Sequence, residues 1–360
     1  MSDTAPPKRL LVAGTGLVGT SVALAATATG IEVLLHDADE AHLSLATEMG
    51  AGSPYTDGEQ VDLAVIAVPP HLVGEVLASW QRRGVATAYT DVASVKKRPR
   101  DDAMRLGCDL RTYVGSHPLA GRERSGPAAA AGDLFLGRPW AVCPTSDSAP
   151  EAVSSVTALA HAVGADPLLL SAEEHDRAVA AVSHAPHVLA SALAAQLTDA
   201  DTRLAGQGVR DVTRVADGDP GLWTSILAGN AAEVAEIVAA TASDLDRLAN
   251  ALRAVSRGEA RGESDVRDLL ERGVAGRKAL PGKHGGPTRT YAVVAVVLPD
   301  RPGQLAKLFH DADASGVNVE DVAIEHSPGA LVGMVELSVR PDGRDALVTG
   351  LRAAGWSISR

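Results

Sequence analysis

The stretch Gly115-Ser116-His117-Pro118-Leu119-Ala120-Gly121-Arg122-Glu123-Arg124-Ser125-Gly126 sets an imidazole, a carboxylate and two guanidinium groups on a bend held by glycines and a proline. A neutral imidazole accepts a hydroxyl proton, so His117 is a candidate general base. Ser183-His184-Ala185-Pro186-His187 adds two histidines three apart, which share one face of a helix, with Pro186 marking a helix start or a kink. No third ligand has suitable spacing for a metal, so the pair is expected to contact a substrate or a cofactor, with a structural polar cluster as the alternative. In Gly208-Val209-Arg210-Asp211-Val212-Thr213-Arg214 two arginines flank an aspartate. An arginine fork grips a carboxylate through two parallel bonds; either Arg210 or Arg214 is available if the other pairs with Asp211.

These groups need a scaffold, and the N-terminal region supplies one. Gly14-Thr15-Gly16-Leu17-Val18-Gly19 leaves the apolar strand Leu10-Leu11-Val12-Ala13 and opens an Ala-rich helix. The spacing fits a dinucleotide fingerprint. Gly14 makes the tight turn, Gly16 lets a pyrophosphate approach the backbone, Leu17 and Val18 lead to Gly19, and the N-terminus of the following helix, read over 21–29, attracts its charge. Asp37 ends the second strand, where a carboxylate bonds a ribose 2′-hydroxyl and repels a 2′-phosphate, predicting NAD over NADP. Val68 and Pro69 lie at the end of the apolar run Asp62 to Pro70, at the same crevice. In Asp91-Val92-Ala93-Ser94-Val95-Lys96, Ser94 either donates to a substrate hydroxyl or the nicotinamide amide, or caps a helix starting at Val95. His117 is expected just past a strand's carboxyl end, on the edge that faces the crevice.

Strands alternating with helices predict an α/β domain over residues 1–171, a Rossmann-type, doubly wound, mostly parallel sheet. Residues 172–272 carry long Ala/Leu/Val runs and read as an all-helical second domain; 273–290, rich in glycine, reads as a linker. Residues 291–360 order as β-α-β-β-α-β, a ferredoxin-like unit. In it, Asp300, Pro302 and Gly303 form a fixed turn with free amides, suited to an amino-acid ligand or simply joining strand to helix, and Asn318 opens the second strand. Such a unit is small enough that pairing is expected.

With 46% hydrophobic and 22% charged residues the composition is globular. The net charge of −12 argues against nucleic acid. No apolar run is long enough for a membrane helix or a secretory leader, and Cys108 and Cys143 make neither a disulfide framework nor a zinc site. A cytoplasmic setting is therefore expected.

Taken together, these motifs resemble the prephenate dehydrogenase family, including its arogenate-using members. They are the glycine fingerprint, Asp91 to Lys96, His117 to Gly126, Ser183 to His187, Arg210 to Arg214, and Asp219-Pro220-Gly221-Leu222-Trp223. The resemblance implies NAD-dependent oxidative decarboxylation of prephenate to 4-hydroxyphenylpyruvate. It implies His117 as the catalytic histidine, Ser94 as its loop serine, and Glu123 as the pocket gate. It further implies His187 as the helical-domain histidine, Arg214 as the carboxylate anchor, and a homodimer built on the helical domain. Residues 291–360 are similar to ACT domains, which implies an amino-acid effector such as tyrosine. Ala93 stands where the family usually has glycine, and Arg122 where it has a small residue.

Two other readings compete. Enzymes that reduce imines or oxidise β-hydroxy acids share the fingerprint but place a lysine on the helical domain; here the first lysine after the change of pattern is Lys278. A non-catalytic amino-acid or redox sensor would not need His117 and Arg214 together.

Overall fold

The computed structural model describes residues 5–120, 125–198, 202–280, 291–326 and 332–359. They form two compact units, residues 1–195 with 215–240, and residues 196–214 with 241–360.

The first unit is built on eight strands: β1 (Arg9–Ala13), β2 (Glu32–His36), β3 (Ser53–Pro54), β4 (Val61–Ile66), β5 (Ala86–Asp91), β6 (Tyr113–Pro118), β7 (Pro139–Cys143) and β8 (Asp166–Leu169). Their order is β3-β2-β1-β4-β5-β6-β7-β8, with every pair parallel except β6–β7. The reversal at β2-β1-β4 is the switch point where an open α/β sheet forms its ligand crevice. The short β3 was not foreseen from the sequence, since two residues are too few to show any alternation.

The helices are α1 (Leu17–Ala28), α2 (Glu40–Glu48), α3 (Val73–Arg82), α4 (Lys97–Arg105), α5 (Pro150–Ala162), α6 (Ala172–Val179) and α7 (Ala185–Ala194). Alternate residues of β1 feed opposite faces of the sheet. Leu10 and Val12 pack with Val22 and Ala26 of α1 and Val156 and Leu159 of α5. Leu11 and Ala13 pack with Val73, Leu77 and Trp80 of α3. Burial on both faces explains the uninterrupted apolar strands, and each such leucine contributes about 1.5–3 kcal/mol.

The boundary expected at residue 171 is not where the compact units part. Helices α6 and α7 belong to the sheet unit because α6 carries Asp176, whose carboxylate is bonded to the start of α4. Between α6 and α7, Ala180–His184 widen into a π-helical turn in which the Ala185 N–H bonds the Ala180 carbonyl. Pro186 has no N–H to offer Val182, and a widened turn absorbs the missing bond.

In the second unit, the helix Ala231–Ser256 (which starts in the first) is followed by the helix Ala260–Ala279. Arg272 grips Asp244 through both terminal nitrogens at 3.0 and 3.1 Å, joining these two helices. The linker expected from residue 273 is therefore corrected: residues 273–279 complete a helix, and 281–290 lie outside the described residues. Gly273 and Gly276 weaken a helix without forbidding it, and the good formers around them decide the outcome.

The C-terminal part of this unit runs β9 (Ala292–Pro299), a helix (Gln304–Asp313), β10 (Val319–His326), β11 (Val332–Val339), a helix (Arg344–Ala353) and β12 (Ser357–Ile358). The four strands are antiparallel in the order β10-β11-β9-β12. Val294, Val296, Leu308, Val335, Leu337 and Leu351 form its core, and the Trp356 indole donates to Asp311 at 2.7 Å. Among the described residues, no helix is long and apolar enough to cross a membrane.

Candidate active site

The glycine turn has the geometry its spacing suggests. Gly14 adopts φ +106°, and a Cβ there would lie 2.3 Å from the Ala67 carbonyl oxygen. At Gly19 a Cβ would lie 1.9 Å from the Gly14 oxygen, so α1 can approach the strand only without a side chain. At Gly16 no atom lies within 4 Å of the Cβ position. Gly16 also caps α1 without any side-chain hydrogen bond, and the first turn holds no acid. An open backbone before an uncapped helix start is a cradle for a pyrophosphate. Leu17 and Val18 form that start, Val68 is half-buried against Gly14, and Pro69 is exposed at the end of β4. The residues fit a dinucleotide.

Asp37 follows β2 and accepts the Thr15 N–H at 2.5 Å and the Thr15 hydroxyl at 2.8 Å on one oxygen, and the Asp39 N–H at 2.9 Å on the other. These bonds hold its pKa below the usual carboxylate value against desolvation, the largest single influence, which pushes it up. Asp37 thus stays charged beside the glycine turn.

At the end of β5 a polar cluster is sealed in the sheet. The ammonium of Lys96 donates to Asp91 Oδ1 and to the Ser116 carbonyl, and the Tyr113 hydroxyl donates to Asp91 Oδ2 at 2.6 Å. Asp91 is fully buried and Lys96 is 2% exposed. Burial first, then the Asp91 charge, pushes the Tyr113 pKa well up. This ion pair closes the loop carrying Ser94, which is half-buried with no side-chain partner among the described residues. The alternative of Ser94 as a helix cap is overturned, because α4 starts at Lys97. The cap comes instead from Asp176, which accepts the Lys96 N–H at 2.7 Å and the Lys97 N–H at 2.9 Å.

His117 lies within β6, paired with Ala141 of β7, and not beyond the strand as expected. The antiparallel partner extends the ladder through Pro118, a long-range effect invisible in the local sequence. Its Nδ1 is 2.9 Å from Nε2 of His175, whose own Nδ1 is 2.8 Å from Oδ1 of Asp176. Desolvation, then the facing His175, Lys96 and His184, lowers the His117 pKa well below that of free imidazole, so the ring is neutral at physiological pH.

His184 and His187 share the neighbourhood of α6. Asn230 donates to the Asp176 carbonyl at 2.7 Å and sits 3.2 Å from Nδ1 of His184. Burial holds the His184 pKa down at about 4. His187, 7% exposed, stacks on Trp223 with centroids 3.5 Å apart and rings 12° from parallel; desolvation lowers its pKa also. Thus His117, His184 and His187 belong to one unit with Ser94 and the glycine turn. Arg210, in the helix Gln207–Thr213, and Arg214, in the following turn, belong to the other unit. Glu123 lies outside the described residues.

Of the C-terminal set, Asp300, Pro302 and Gly303 form the turn after β9, where Gly303 has φ +81°. Asn318 precedes β10 and donates to Glu320 at 2.9 Å. The register pairs Pro299 with Val332 at one end of the sheet and Val319 with Val339 at the other. Asn318 and the 300–303 turn therefore lie at opposite ends of this sheet.

Sequence reasoning missed His175 and Asp176. Glu173-Glu174-His175-Asp176 has three carboxylates in four residues, yet His175 is 1% exposed and Asp176 fully buried. One signal was available: Ser171 and Glu174 form a capping box, which fixes the start of α6 and so its inward face.

A glycine-cradled crevice on an open parallel sheet, with a neutral buried-side imidazole at its edge, defines the class of dinucleotide-dependent dehydrogenases. Comparison with known proteins narrows this. The family described as "Prephenate dehydrogenase, nucleotide-binding domain" matches residues 22–169, and "Prephenate dehydrogenase, dimerization domain" matches 171–269. Probable prephenate dehydrogenase NovF of Streptomyces niveus is 40% identical over 354 residues, 96% of this chain and 98% of that protein. A prephenate dehydrogenase of Aquifex aeolicus, solved with hydroxyphenyl propionate and NAD+, shares the fold at a TM-score of 0.64 and 24% identity, over 76% of this chain and 99% of that one. Synechocystis arogenate dehydrogenase superposes with a TM-score of 0.62 at 25% identity, over 75% of this chain and 98% of its own. The chain belongs to the prephenate dehydrogenase family.

Proposed function

We propose that the protein oxidises prephenate with NAD+ to 4-hydroxyphenylpyruvate, CO2 and NADH. NAD+ held by the glycine turn and Asp37 would supply the acceptor for the hydride on the carbon bearing the ring hydroxyl. His117 Nε2 takes the hydroxyl proton, and Ser94 donates a hydrogen bond to the same oxygen. Loss of CO2 then makes the ring aromatic, so the step runs one way. The family resemblance assigns the departing carboxylate to Arg214, with Arg210 four residues earlier as the alternative, His184 and His187 to the substrate, and Glu123 to the gate. Gly14, Gly16, Gly19, Leu17 and Val18 cradle the pyrophosphate, Asp37 binds the ribose, and Val68 and Pro69 flank the nicotinamide half.

The observation that carries this reading is the neutral His117 at the crevice edge, with Nδ1 already engaged by His175 at 2.9 Å. The test is NADH formation with prephenate and with arogenate, wild type against His117→Asn. Turnover is expected to fall by about 10²–10⁴ in the variant with NAD binding intact. Near-normal turnover would refute His117 as the base. The likeness to Synechocystis arogenate dehydrogenase supports arogenate as the second reading. The same assay separates the two, since the substrates differ only in a side-chain keto or amino group.

Two further assignments belong to this reading. The helical region forms a homodimer, supported by the family's dimerization domain and by Leu245, Leu252, Leu270 and Val274, all at least half exposed. Residues 291–360 form a ferredoxin-like ACT module for an amino-acid effector such as tyrosine. Because Asn318 and the 300–303 turn stand at opposite sheet ends, only a second copy can bring both to one ligand. Tyrosine inhibition that persists after truncation at residue 280 would place the effector at the active site instead.

A further inference from the structure

We infer that His175 and Asp176 are positioning residues for His117, fixing the tautomer that leaves Nε2 free to accept the substrate proton. The inference rests on the proposed role of His117. It follows from hydrogen-bond bookkeeping along one line of side chains.

A carboxylate has only acceptors. Asp176 Oδ1 faces His175 Nδ1 at 2.8 Å, so that nitrogen carries the proton. The carboxylate is anchored independently, by the Lys96 N–H at 2.7 Å and the Lys97 N–H at 2.9 Å, and is fully buried. With one proton on each ring, His175 Nε2 is then an acceptor. It faces His117 Nδ1 at 2.9 Å, which must donate. His117 therefore carries its proton on Nδ1 and none on Nε2, the form a general base requires. The opposite tautomer would set two lone pairs against each other at hydrogen-bond distance.

The same line helps after proton uptake. The imidazolium formed at His117 still donates through Nδ1, and the Asp176 charge stands behind His175 to offset it. Lys96 and His184, which also face His117, are a cation and a near-neutral ring and give no such compensation. Asn230 fixes the other end of the arrangement by donating to the Asp176 carbonyl at 2.7 Å. Two electrostatic jobs, orientation and charge balance, thus fall to residues that act through His117.

The test compares His175→Leu with His175→Gln in the full-length protein, using NADH formation from prephenate. Gln offers a carbonyl oxygen near the position of Nε2, so it can accept the His117 proton; Leu fills space without accepting. We expect Leu to lower kcat about 10²-fold and Gln to stay within about 10-fold of wild type, with KM for prephenate and NADH affinity within about 3-fold in both. A merely structural role would move both variants together, or would move KM. Nitrogen NMR of histidine-labelled wild-type enzyme supplies a readout independent of turnover: His117 is expected to be protonated on Nδ1. A wild-type kcat in His175→Leu, or a wild-type His117 protonated on Nε2, would overturn the inference. If wild type carries the expected tautomer but forms no NADH from prephenate or arogenate, the functional reading fails and the pairing stands. If His175→Leu does not fold, the wild-type spectrum decides alone.

Discussion

Replacing Lys96 by methionine removes a cation from the sealed end of β5 while keeping the length of the side chain. In the wild type the ammonium serves Asp91 Oδ1 and the Ser116 carbonyl at once. After the change, Asp91 keeps only neutral donors, the Tyr113 hydroxyl at 2.6 Å and the Ala93 N–H at 2.9 Å, and the Ser116 oxygen loses its Lys96 donor. Asp91 has no exposure, so water cannot replace the lost cation. Breaking a buried pair from one side costs about 3–5 kcal/mol, because the remaining charge stays desolvated. For a unit of this size, that predicts a fall in Tm of roughly 6–20 °C. Lys96→Met/Asp91→Asn removes the stranded charge as well, so it should recover more than half of the loss. Thermal unfolding followed by circular dichroism of the wild type, both single variants and the double variant gives the full cycle. A loss below about 1 kcal/mol in Lys96→Met, or a double variant no more stable than it, would refute the view that this pair is a mutually dependent buried unit.

The glycines separate folding from cofactor binding. Gly16→Ala meets no protein atom within 4 Å and needs no unusual backbone, so it should unfold within about 1 °C of wild type yet bind NADH at least 10-fold more weakly; Gly19→Ala, with its Cβ 1.9 Å from the Gly14 oxygen, should lose stability too. Calorimetry with and without NADH checks both, and unchanged NADH affinity in Gly16→Ala would remove the cradle from α1. The histidines set an acid limit. His184 is held at about 4 and His117 well below free imidazole, so the unfolded chain takes up protons that the native state refuses. Their contribution is fully present above about pH 6.5 and is lost as pH falls toward 4. At about pH 5, His184 alone should cost roughly 2 kcal/mol, so His184→Gln should lose about that much less than wild type between pH 7.5 and 5 in urea unfolding. Equal losses would place the acid sensitivity elsewhere.

The local sequence announces the scaffold well. Gly14 and Gly19 have steric roles that no other residue fills, Gly16 leaves the backbone open between them, and Asp37 falls at a strand end by counting alone. The apolar runs 10–13 and 63–66 read as strands buried on both faces, and they are. The C-terminal β-α-β-β-α-β order was equally legible, because its alternation and turns are local. Legibility failed where a partner distant in the chain decides the outcome. β6 runs on through His117 because β7 pairs with it antiparallel, and the helix Ala260–Ala279 absorbs glycines that composition assigned to a linker.

The sequence by itself determined the dinucleotide turn and the doubly wound sheet, and it singled out His117 as the candidate base, since each depends on residue type and short spacing. Only the tertiary structure decided that His117 is backed by His175 and Asp176, that Asp176 caps α4, and that Lys96 is sealed against Asp91. The reason is physical. Whether a charged residue is solvated or buried depends on what covers it, and here the cover comes from segments far away along the chain.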